Sequence, residues 1–95
     1  MAIIISQKVR EKLAGKIPPV TVEEITQCFA DRSGRYLYDT REEHLSDPLT
    51  RWFIAETYFG RKLKIAYIPR DPDIHIRTAY DPNQVEIEIF RSRCT

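Results

Sequence analysis

The sequence predicts an α+β domain: two N-terminal helices packed on one face of a four-stranded antiparallel sheet, followed by a short C-terminal helix. Three observations lead there. Helix-capping signals cluster before residue 35. From Arg35 onward the apolar residues recur every second position and are rich in aromatic and β-branched types, as strands require. Tight-turn residues then join successive strand segments, and so short a connection can only pair them antiparallel.

Ser6 is placed to cap a first helix, in which Val9 and Leu13 lie four apart on one face, and Gly15 supplies a left-handed stop. Lys16 to Val20 contains Pro18 and Pro19 and reads as a connector. Thr21-Val22-Glu23-Glu24 is a capping box, its threonine hydroxyl and Glu24 carboxylate each meeting a free amide of the first turn. The apolar positions Val22, Ile25, Cys28 and Phe29 continue that helix to a stop at Asp31-Arg32-Ser33-Gly34. Strands are predicted over residues 35–40, 50–58, 62–68 and 74–80, with turns at Phe59-Gly60-Arg61 and Arg70-Asp71-Pro72-Asp73. His44, in the long loop from Glu42 to Leu49, reads as a solvated residue. In the tail, Val85 to Ile89 alternates like a strand, but Asp81-Pro82-Asn83-Gln84 resembles a helix start, so a helix is the stronger reading.

With 95 residues the chain is read as one domain, residues 1–95. It is large enough to bury roughly 60–65% of its unfolded surface. A composition of 42% hydrophobic and 31% charged residues is that of a globular protein rather than a disordered one. The Met1 to Ile5 run is too short for a signal segment and nothing else nears membrane-span length, which points to a cytoplasmic protein with no membrane association. Cys28 and Cys94 lack metal-ligand or redox spacing, and Cys28 on an apolar helical face reads as a buried thiol, so no cofactor and no metal are expected.

Net charge is only +1, but it is unevenly spread: residues 51–80 carry six Lys/Arg against three Asp/Glu, while residues 1–50 carry seven against eight. The alternation over 61–68 and 73–80 sends Lys62, Lys64, His75 and Arg77 to one face of the sheet and Leu63, Ile65, Tyr67, Ile74 and Ile76 to the other. A cationic sheet face left open by the helices suits a phosphate-rich ligand, although solubility alone also selects lysine and arginine there. No phosphate-loop, nucleophile-elbow or zinc-helix motif is present. A reaction that needs few special residues is RNA cleavage by the substrate's own 2′-hydroxyl, which asks the protein for position, charge and proton transfer. Lys64 and Arg77 would stabilise the phosphate charge and His75 would carry the proton. Tyr80, on the opposite parity, would reach a base only at the sheet edge.

The order of Leu37-Tyr38-Asp39-Thr40-Arg41-Glu42-Glu43-His44, Trp52-Phe53-Ile54-Ala55, Gly60 to Tyr67 and Ile74-His75-Ile76-Arg77-Thr78-Ala79-Tyr80 resembles the BrnT-type toxins. The resemblance covers roughly residues 20–91. It implies a RelE-like fold with a central antiparallel sheet, a metal-independent endoribonuclease toxin, and a cognate antitoxin partner. It also brings in Arg41, with Lys62 and Tyr80, as RNA contacts, and Glu42 as a group that orients them. One departure stands out. Those toxins commonly follow the last strand's alanine with an Arg-Lys pair, whereas Tyr80-Asp81-Pro82-Asn83 follows Ala79. The alternative is therefore a non-catalytic module that binds a protein partner or nucleic acid. Oligomeric state is not legible in the sequence.

Overall fold

The computed structural model describes residues 2–32, 34–41 and 45–93. Glu42, His44 and Cys94 lie outside that set. The elements are β1 (Ile3–Ile4), α1 (Gln7–Ala14), α2 (Val22–Asp31), β2 (Leu37–Tyr38), β3 (Arg51–Glu56), β4 (Lys62–Arg70), β5 (Asp73–Tyr80) and α3 (Gln84–Arg93).

The class is α+β, but the sheet corrects the sequence expectation: it has five strands in the order β1-β5-β4-β3-β2, and it is mixed rather than antiparallel. The added strand is β1, which runs parallel to β5 with Ile3 opposite Ile74 and Ile4 opposite His75. Its ladder is extended by Ile74 N–H donating to the Ala2 carbonyl at 3.0 Å. A two-residue strand carries no periodicity of its own, so only this distant partner creates it.

Helix starts follow the local chemistry. Ser6 Oγ accepts from Val9 N–H at 3.3 Å, and both halves of the Thr21/Glu24 box form, at 3.1 and 3.0 Å. Gly15 differs from expectation: its φ is −81°, so it ends α1 without the left-handed turn. Gly60 does need glycine's freedom, with φ +85° at the end of the β3–β4 turn. The tail is a helix, α3, capped by Asn83 rather than Asp81: Glu86 N–H donates to Asn83 Oδ1 at 2.8 Å, and Asn83 N–H to Glu86 Oε1 at 3.0 Å.

One sheet face packs against α2. Ile25, Cys28, Phe53, Leu63 and Ile65 are fully buried. Phe29 meets Phe53 and Tyr67 edge-on, with centroids 4.8 and 5.3 Å apart, the geometry aromatic quadrupoles favour. The Arg32 guanidinium lies over all three rings and donates to Tyr67 Oη at 2.8 Å. Burial pushes the Cys28 thiol up to about 12, with Asp31 and Glu24 adding to the effect, so it stays a neutral packing group. Among the described residues no helix is long and apolar enough to cross a membrane.

Arg61 fastens the layers together. Its Nη1 and Nη2 donate to the Pro19 and Pro18 carbonyls at 2.8 and 3.0 Å. It also bridges Glu24 at 3.1 Å and Asp81 at 2.8 Å, tying the α1–α2 connector, the start of α2 and the end of β5 to one guanidinium.

Candidate functional site

Along β4 the alternation places Lys64 and Ala66 on the face away from α2, with Lys64 opposite Tyr80 and Ala66 opposite Thr78. Between Ala66 and Tyr67 the register slips, because Tyr67 pairs with Ile76 rather than Arg77. Arg77 is thus the extra residue of a β-bulge. The slip reverses parity beyond it: Ile74, Ile76 and Ala79 are all buried, the last three positions after its predecessor instead of two. Tyr80 therefore stands on the same face as Lys64, correcting the expected opposite placement. Arg77 reaches over β4 to the residue just before β3, its Nη1 donating to Thr50 Oγ1 at 3.2 Å.

That face is not left open. α3 lies on it, its Phe90 ring 5.8 Å from Trp52. Glu86 Oε2 takes hydrogen bonds from Lys64 Nζ and Tyr80 Oη, both at 2.7 Å. Burial works against the charged forms of Lys64 and Glu86, but their pairing and the Tyr80 hydroxyl outweigh it, so the lysine is held above its usual range and the carboxyl below. Burial and the bond to Glu86 raise Tyr80, which stays a neutral donor. Lys64 Nζ also lies 4.5 Å from the centre of the Trp52 ring. Its charge is thus answered from within the chain.

Beside this cluster opens a cleft of about 400 Å³. Lys12 of α1 and Lys16 of the connector just after it enter from one margin, with Lys16 Nζ 5.5 Å from the Tyr80 ring. Arg77, Thr78, Ala66, Thr50 and Trp52 line the interior, and Asp39 and Arg41 the far margin. Asp39 holds Arg41 through both its oxygens, at 3.1 and 3.0 Å. A second recess of about 300 Å³ continues past Trp52 and Lys64 to Tyr38, Ile89 and Arg93.

Of the residues singled out in the sequence, Lys64, Arg77, Arg41 and Tyr80 come together here. His75 does not. It pairs with Ile68 on one side and Ile4 on the other, five residues along β5 from Tyr80, a separation of about 15 Å by strand rise. Lys62 lies opposite Glu56 and lines a different recess with Arg61 and Asp81. Glu42 is outside the described residues. Sequence reasoning missed Lys12, on α1, and Lys16, in the connector beyond its end, because nothing local says what either overlooks. It also missed Glu86, and it gave Trp52 no place in the site.

The arrangement can bind phosphate, because cations from α1, β5 and the β2–β3 connection face one concavity, and can place rings beside it. Among the described residues it brings no histidine to that concavity. No protein-family model matches the chain, and no curated protein or solved structure matches it either.

Proposed function

We propose that this chain binds RNA through the cleft, gripping the sugar-phosphate backbone without cutting it, as a non-catalytic relative of the BrnT-type toxins acting in the cytoplasm. A single observation carries the reading: Lys12, Lys16 and Arg77 converge around Trp52 and Tyr80, while the only described histidine, His75, does not line the cleft. Charge and stacking surface are what a binder needs, whereas cleavage also asks for a proton carrier in reach. The test is fluorescence anisotropy of a labelled single-stranded RNA. Binding should weaken steeply with salt, and Arg77→Ala should lower affinity about tenfold. Salt-independent binding, or an unchanged Arg77→Ala affinity, would refute it.

The meeting of Arg77 with Tyr80 and Lys64 favours a second reading, a metal-independent endoribonuclease toxin restrained by a cognate antitoxin. Here Arg77 stabilises the charge of the pentavalent phosphorus and the substrate supplies the nucleophile. RNA cleavage in the presence of a chelator, lost in Arg77→Ala and kept in His75→Ala, would establish it over simple binding. Intact RNA at high protein concentration would dismiss it. Copurification with the product of an adjacent small gene tests the antitoxin separately.

A further inference from the structure

Resting on the RNA-binding reading, we infer that the trough takes a single strand as two consecutive nucleotides, one in each recess, with Trp52 the wall between them. The two recesses, about 400 and 300 Å³, are each at the lower end of small-ligand sites. They are continuous, because Trp52, Lys64, Asp39 and Arg41 line both. Each adds a ring and a cation of its own: Tyr80 with Arg77 and Lys16 in the first, Tyr38 with Arg93 in the second. A ring and positive charge of its own in each recess repeats as a strand does, with a base and a phosphate in every nucleotide. Among the described residues two carboxylates face the trough, and both are already bridged, Asp39 to Arg41 at 3.0 Å and Glu86 to Lys64 at 2.7 Å, so they do not repel a phosphate as bare charges would. A duplex keeps its base faces inside its own stack and cannot present one to Trp52, Tyr80 or Tyr38.

Trp52 is the chain's only tryptophan, so its fluorescence reports directly on the wall of the trough. The probes are 5′-phosphorylated mono-, di- and hexauridylate and a short RNA duplex. The dinucleotide should quench Trp52 and bind about tenfold more tightly than the mononucleotide. Hexauridylate should exceed the dinucleotide by no more than the number of ways of placing two nucleotides along it. The duplex should bind at least about tenfold more weakly than hexauridylate. Lys16→Ala and Arg93→Ala, both at the rim, should each weaken the dinucleotide several-fold and multiply when combined.

A dinucleotide no tighter than the mononucleotide, or a duplex equal to the single strand, would overturn the inference. If hexauridylate binds by anisotropy but leaves Trp52 unquenched, the two-nucleotide site is wrong and RNA binding stands. If no RNA binds by either measurement, both fall together.

Discussion

Arg61, just before β4, and Arg77, in the bulge of β5, are the same side chain on one hairpin, and the structure uses them in opposite ways. Arg61 meets two carbonyls and two carboxylates, and its side chain is 20% exposed. Arg77 is exposed and, among the described residues, makes one hydrogen bond, to the Thr50 hydroxyl. A guanidinium presents five donors in a rigid fork. Where the fold fills that fork the residue is structure, and where it leaves donors over the residue is available to a ligand. Neither a charge count nor strand parity can tell the two apart.

The largest effect should come from emptying the filled fork. Arg61→Ala should cost about 3 kcal/mol, lowering the thermal midpoint by roughly 10–20 °C, because it strands partly buried carboxylates and carbonyls. Arg61→Lys should recover little, since one ammonium cannot span four acceptors. A midpoint shift no larger than that of Arg77→Ala would erase the contrast. Arg77→Ala is the converse: thermal stability within about 0.5 kcal/mol of the parent, with RNA affinity down by about 1–2 kcal/mol and the salt slope shallower by about one.

Lys64 lies between these extremes, cationic but paired, and pH separates its roles. Glu86 has its pKa held low in the folded chain, so its contribution is complete above the ordinary glutamate value of about 4.3 and is lost as pH falls through the folded value. Lys64 has its pKa raised, so its contribution is complete below the ordinary lysine value of about 10.4 and is lost as pH climbs through the folded value. Acid titration followed by Trp52 fluorescence should therefore show α3 loosening below about pH 4. Glu86→Gln should abolish that step and cost about 1 kcal/mol at neutral pH. The smallest expected effect is at His75: His75→Gln should leave RNA affinity within about twofold, because the residue does not line the cleft and stands roughly 15 Å from Tyr80 along β5. A tenfold loss there would restore it to the site.

How much was readable follows how local each feature is. The Thr21/Glu24 box and the Ser6 cap join residues three apart, and they form as written. Alternation located β3, β4 and β5, because side chains of a half-buried strand must sort by face. The bulge defeated that logic halfway along β5. Either Arg77 or Thr78 could have been the inserted residue, and only the pairing with β4 shows which. A one-residue slip moves every later side chain to the other face, which is why Tyr80 was placed on the wrong side. The same distance problem hid β1, whose partner is some seventy residues away, and α3's position on the supposedly open face. Val85, Ile87 and Ile89 alternate, so on a helix they scatter around its axis and announce no packing side.

By itself the sequence determined the α+β class, the capped N-terminal helices, the positions of β3, β4 and β5 and the concentration of positive charge in residues 51–80, since each rests on neighbours in the chain or on composition. Which cations form a cleft, which are neutralised and which face Tyr80 occupies were settled only by tertiary structure. Those outcomes depend on a strand register, on a helix docking across the sheet and on hydrogen-bond partners many residues apart, and no short-range pattern encodes them.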